Sequence, residues 1–156
     1  MKFITSIILY FFISLATLHA ENHHKVVFDL TSGENNVVEK SLFGIIKNIK
    51  SYYSSHQKNI DIAVVISGDS YQYFIKDIKN SPYNNDADIV ALQPKLEPKL
   101  RELYDKLKVK FYMCSYGMES RDIPKESLYD FIKADKTKSI YLIELQNDGY
   151  AYMPIH

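Results

Sequence analysis

Two short runs of β-branched and apolar residues constrain this chain most. They are Lys25–Leu30 (KVVFDL) and Ile60–Ile66 (IDIAVVI). Between them Val38, Leu42, Ile45, Ile46, Ile49, Tyr52 and Tyr53 recur at helical spacing, which predicts one amphipathic helix over 37–54. Asn36 followed by Glu39 reads as a capping box at its start. A strand, a crossover helix and a second strand imply a parallel pair, because parallel neighbours need a long connection. The segment Thr31–Asn35 is the intervening turn.

The rest of the chain repeats the alternation. Ser67-Gly68-Asp69 ends the second strand, and 70–79 reads as a helix with Tyr73, Phe74 and Ile78 inward. Asn80–Asp88 (NSPYNNDAD) is turn-forming throughout. A third helix is expected to begin near Pro98, with Leu96, Leu100, Leu103, Tyr104 and Leu107 as its apolar stripe. Val109–Met113 is a third strand, and Ser115, Tyr116 and Gly117 break it. Asp122 is placed to cap a short helix carrying Pro124 in its first turn. Residues 131–134 form a weak fourth strand, and 137–147 a last helix closed by Gly149. Tyr150–Ile155, with Pro154 suited to an edge, is a fifth strand. The order β-α-β-α-α-β-α-β-α-β predicts a single three-layer α/β/α domain around a mostly parallel five-stranded sheet.

The first twenty residues stand apart from that domain. Lys2 precedes an apolar run over 3–15, and Leu18-His19-Ala20 offers a small residue for cleavage, the pattern of a secretory signal peptide. The expected division is a signal at 1–20 and one domain over 21–156, with no membrane attachment once the signal is removed. The 19 basic and 19 acidic side chains cancel and are interspersed, so the sequence shows no sign of the clustered basic face that nucleic acid needs, and no nucleic-acid partner is expected. Glu21-Asn22-His23-His24 reads as a polar, solvated tail, since two adjacent histidines fall short of the three or four ligands a metal site needs. No cofactor motif occurs; Thr31-Ser32-Gly33 lacks the lysine of a phosphate-cradling loop. Thirteen tyrosines, one of them (Tyr10) in the leader, suit an interface as well as a core.

Cys114 is the only cysteine. It cannot form an internal disulfide, so it is either a reactive thiol or a small buried apolar side chain. Its place at a predicted strand end favours the first, because open α/β sheets use those ends. A thiol needs a cation or a helix N-terminus to become a thiolate near neutral pH. Arg121, at the edge of the helix expected after Asp122, is the candidate activator. Lys108 and Lys110 share the strand, and Asp29 and Asp69 lie near strand ends, where a local backbone-capping role is the commoner one. His56 is expected at a helix C-terminus.

The stretches VVFDLTSGE, VVISG, KFYMCSYGMESRDI and LQNDGYAYMP, together with Asn48, resemble the DsrE/DsrF-like family of sulfur-relay proteins, in particular its exported branch. The resemblance covers nearly all of 21–156. It implies a flavodoxin-like fold, assembly into trimers or hexamers, and a cysteine that carries sulfur as a persulfide to a partner thiol. Carried over, Cys114 is the sulfur acceptor and Arg121 its activator. Asp122 stands where relay members often have glycine, and Ser67 where exported relatives often have histidine. The resemblance therefore implies a periplasmic sulfur carrier with a donor or acceptor protein as partner. The rival expectation is a non-catalytic small-ligand, protein-binding or assembly module in which Cys114 is structural.

Overall fold

The computed structural model describes residues 23–156, so the expected signal at 1–20 lies outside the described residues. Five strands form one sheet in the order β4-β3-β2-β1-β5, and every pairing is parallel. They are β1 (His23–Leu30), β2 (Asn59–Ile66), β3 (Lys110–Met113), β4 (Ile132–Lys133) and β5 (Ala151–Ile155). The N-terminal histidines are therefore no loose tail: His23 is already in register with Asn59.

Side-chain alternation along the central strands divides the core. Phe28, Leu30, Ile62, Val64, Ile66 and Phe111 face one side, where most of the buried apolar side chains gather. Val27, Ala63 and Val65 face the other and meet Tyr141, Leu145 and Tyr150. Each large apolar side chain removed from water contributes roughly 1.5–3 kcal/mol, so the first face dominates stability. The asymmetry follows from topology. Right-handed crossovers from β1 to β2 to β3 advance in one direction and place their helices on one face; the return from β4 to β5 places its helix on the other.

On the larger face, helix α1 opens at Asn35–Val37, widens to π-type turns over Val38–Gly44 and continues through Ile45–Ser55. Val38, Leu42 and Ile46 are buried as the stripe predicts, whereas Tyr52 is exposed. The capping box does not form. Glu34 occupies the N-cap without a side-chain bond, and Glu39 instead grips Lys99 at 2.6 Å.

Helix α2 (Ala87–Arg101, with π-type turns through Glu102–Lys106) starts well before Pro98. Asp86 caps it, accepting from the amides of Asp88 and Ile89 at 3.1 Å each, and Pro94 and Pro98 both lie inside it. No α-helix forms over 70–79. Gly68, at φ +63°, turns the chain into a 3-10 segment, Gly68–Phe74, whose three-residue period brings Tyr71 and Phe74 inward together. Ile75 then bridges to Leu128.

A short helix α3 (Ser115–Glu119) occupies the expected break, and the helix expected from Asp122 reduces to one 3-10 turn at Lys125–Ser127. Asp122 has φ +52°, a left-handed conformation that glycine adopts freely and aspartate tolerates. The chain makes this turn without a glycine.

On the smaller face lies α4 (Lys138–Asn147). Gly149 ends it at φ +85°, with its amide bonded to the Gln146 carbonyl and that of Tyr150 to Leu145, each 3.0 Å, the paired bonds of a Schellman motif. β5 is an edge strand, as Pro154 requires.

Candidate functional site

β3 delivers Cys114 to the carboxyl edge of the sheet, where the Cys114 amide still bonds to the Ile66 carbonyl at 3.0 Å. The next residue starts α3, so Cys114 is itself the N-cap of that helix, with extended backbone at φ −66° and ψ 113°. A helix N-terminus thus lies at the cysteine itself, where the sequence suggested only a break. Lys138, the first residue of α4, arrives from the opposite layer.

The sulfur therefore lies near the amides that open two helices. Burial, the largest influence, pushes the thiol up, since only 8% of the residue is exposed. The amides of Gly117 and Lys138, the Tyr71 hydroxyl and the Tyr116 amide oppose it. Together they prevail and hold the thiol below its ordinary range. The amides belong to the first turns of two helices, where unpaired N–H groups favour negative charge.

Tyr71 joins this sulfur to the rest of the edge. Its hydroxyl donates to the Cys114 carbonyl at 3.0 Å, and burial pushes its own ionisation far above the usual phenol range. Gly117 permits the approach: a Cβ there would lie 2.0 Å from the Tyr71 hydroxyl. The Arg121 guanidinium sits 5.1 Å from the centre of the Tyr71 ring and pairs with Asp69 at 3.6 Å. Arg121 and Cys114 thus contact the same tyrosine.

Asp29 is 2% exposed and caps no local amide. Its carboxylate meets the Lys138 ammonium at 2.9 Å and accepts from the Tyr152 hydroxyl at 2.9 Å. The same Lys138 whose amide faces the sulfur is thereby tied to the core. Ser67 follows Ile66 at the end of β2, next to Cys114 in the sheet; its hydroxyl is buried without a hydrogen-bond partner among the described residues. Lys110 points to the opposite end, 3.7 Å from Asp61 and 3.0 Å from the Tyr150 hydroxyl. Lys108 lines a cleft at that same end, so neither lysine serves the thiol. His56 bonds to the Tyr52 carbonyl at the end of α1, as expected. Among the described residues no group of three or more His, Cys, Asp or Glu could hold a metal ion, and no helix is long and apolar enough to cross a membrane.

Beside this cluster opens a cleft of about 870 Å³. Thr31, Ser32, Gly33 and Glu34 after β1, Asp69 and Gln72 after β2, and His156 after β5 form three sides; Pro82, Tyr83 and Arg121 complete it. The chain runs outward from β1 to β4 and returns to β5 on the other side of β1, so the cleft lies where the strand order reverses.

The family model described as DsrE/DsrF-like matches residues 11–155. The chain belongs to the DsrE/DsrF-like family. The match begins inside the stretch read as a signal peptide. Membership in this family suggests a sulfur-relay type of function in general. A solved structure of a protein of unknown function, MTH1491 from Methanobacterium thermoautotrophicum, superimposes with a TM-score of 0.59 at 17% identity, covering 84% of this chain and 98% of that one. That likeness shows the fold alone. No curated protein matches the chain.

Sequence reasoning missed Tyr71, Lys138 and Gly117. Gly117 carried the one local signal, a glycine three residues past a strand-end cysteine.

Proposed function

We propose that this DsrE/DsrF-like protein is a periplasmic sulfur carrier that holds a persulfide on Cys114 and passes it to a partner thiol. The observation that carries the reading is the place of Cys114 at the N-cap of α3, where nearby amides favour thiolate despite burial. The Cys114 thiolate attacks the outer sulfur of a persulfide RS–SH. The new bond joins it to that sulfur, the RS–S bond breaks, and the electron pair leaves with RS⁻. An acceptor thiolate then attacks the same outer sulfur and regenerates the Cys114 thiolate. Neither step needs an external oxidant. The amides of Gly117, Tyr116 and Lys138 stabilise the thiolate as attacker and leaving group. Ser67 supplies a buried hydroxyl next to the site, and Arg121 acts through Tyr71.

Intact-mass measurement after polysulfide exposure tests this. A gain of ~32 Da, reversed by reductant and absent in Cys114→Ser, is the expected result; an unmodified folded wild-type protein refutes it. The export reading adds that cell fractionation finds the protein in the periplasm. The assembly reading is a homo-oligomer, trimer or hexamer. Exposed Ile140 and Ile143 on α4 and Tyr152 and Met153 on β5 offer it an apolar surface, and light scattering measures the mass.

The low exposure of Cys114 favours a second reading, a binding or assembly module with a structural cysteine. Under it, alkylation of Cys114 would require unfolding and Cys114→Ser would change no sulfur chemistry.

A further inference from the structure

The cleft at the strand-order reversal carries an inference of its own. At about 870 Å³ it falls within the size range of small-molecule sites. Its lining bears both signs of charge: the carboxylates of Glu34 and Asp69 on one hand, the Arg121 guanidinium on the other. Ser32 and Gln72 add neutral polar groups, and the Tyr83 ring adds an apolar wall. A simple anion would meet two carboxylates here, and a simple cation would meet the guanidinium. A molecule with an ammonium and a carboxylate at its two ends satisfies both.

The Arg121–Asp69 pair is long at 3.6 Å, and Asp69 is largely exposed, so water screens it. A ligand carboxylate that offers both oxygens to the guanidinium fork competes well against it. The cleft also lies close to Cys114. Arg121 lies over the Tyr71 ring, and the hydroxyl of that ring reaches the Cys114 carbonyl, so one aromatic side chain separates the cleft wall from the Cys114 backbone. Cys114 is only 8% exposed, which disfavours a thiol held on a folded protein surface and favours one on a thin, flexible molecule.

We propose that this cleft binds a low-molecular-weight zwitterionic thiol of amino-acid or peptide type, whose persulfide is the sulfur donor to Cys114. The donor role rests on the carrier reading; the binding itself does not. In the transfer the donor RS–SH gives its outer sulfur to the Cys114 thiolate and departs as RS⁻, which the cleft releases.

Glutathione, titrated into the full chain and followed by calorimetry, is the probe, with S-methylglutathione and thiosulfate as comparisons. Glutathione and its S-methyl form should bind wild type and Cys114→Ser alike. Arg121→Met and Asp69→Asn should each weaken binding about tenfold or more. Asp69 is exposed, so D69N keeps the test valid even where R121M unfolds. The proposal is overturned by the absence of saturable binding up to roughly 10 mM glutathione. It is also overturned by affinity indifferent to D69N, or by thiosulfate binding as tightly as glutathione. Polysulfide loading of Cys114, measured separately, distinguishes the two failures. Loading without glutathione binding removes the donor and leaves the carrier; binding without loading removes the carrier and leaves the site.

Discussion

The two ends of the sheet carry similar chemical groups in opposite settings. At the amino end, Asp61 gathers His23 at 3.1 Å and Lys110 at 3.7 Å, with side chains between about one-third and one-half exposed. At the carboxyl end, Asp29 gathers Lys138 and Tyr152 while itself almost fully buried, and Cys114 sits beside them among backbone amides. Water shares the charge in the first cluster, so each partner is replaceable. In the second, the protein supplies nearly all the solvation, and removing one group strands another. Charge near the thiol is therefore expensive to disturb, and charge at the far end is not.

The largest effect is expected at Gly117. Alanine there places a Cβ 2.0 Å from the Tyr71 hydroxyl and 2.7 Å from its Cζ, and the buried ring has no room to retreat. Gly117→Ala should cost about 2–3 kcal/mol in denaturant unfolding. A near-neutral result would mean that the tight contact between α3 and Tyr71 does not exist. Asp29→Asn comes next. It removes the charge that pairs with the Lys138 ammonium and leaves one acceptor oxygen where Lys138 and Tyr152 used two, and a loss of about 2 kcal/mol is expected because Lys138 keeps some water. It also loosens the start of α4, so the Cys114 thiol should titrate higher, read from the pH dependence of alkylation. Loss of stability with an unchanged thiol would confine Asp29 to packing.

Tyr71→Phe should cost about 1 kcal/mol, the typical worth of one buried hydrogen bond. It too should raise the thiol. The sign for stability follows from the lowered thiol. In wild type, the thiolate's contribution is fully present above the ordinary value of 9.0 and is lost as pH falls through the lower folded value. Stability relative to Cys114→Ser should therefore rise with pH across that window. A flat difference would remove the nearby amides as the cause.

Sequence pattern revealed the sheet because β-branched runs have a period that packing respects. KVVFDL and IDIAVVI became two of the three interior strands, and Gly149 ended α4 through a conformation available locally. Where tertiary contacts outvote local preference, pattern misled. Tyr71, Tyr73 and Phe74 are all buried, yet on a 3-10 turn that no helical stripe describes. Pro98 suggested a helix start, whereas the Asp86 cap fixed the start and both prolines were absorbed downstream. The same division holds at the site. Cys114 was visible as a lone thiol at a strand end, and Arg121 as a nearby cation. Tyr71 comes from 43 residues earlier and Lys138 from the opposite layer, so only the fold unites them with the sulfur.

The smallest effect is expected at the amino end and tests the comparison from its other side. Burial pushes the Asp61 carboxyl up, but the hydrogen bond from His23 and the charges of Lys110, His23 and Lys50 together bring it below the usual carboxylate range. A carboxyl lowered by folding contributes stability above its unfolded value and loses it as pH falls through the folded one. Its side chain is 36% exposed, and exposed ion pairs contribute little. Asp61→Asn should therefore cost at most about 0.5 kcal/mol at neutral pH, and the difference from wild type should vanish in acid. Salt should shrink it further, since screening reaches exposed charges first. Asp29→Asn should keep most of its cost at the same ionic strength. If Asp61→Asn proved as damaging as Asp29→Asn and equally indifferent to salt, burial would not be what separates the two ends.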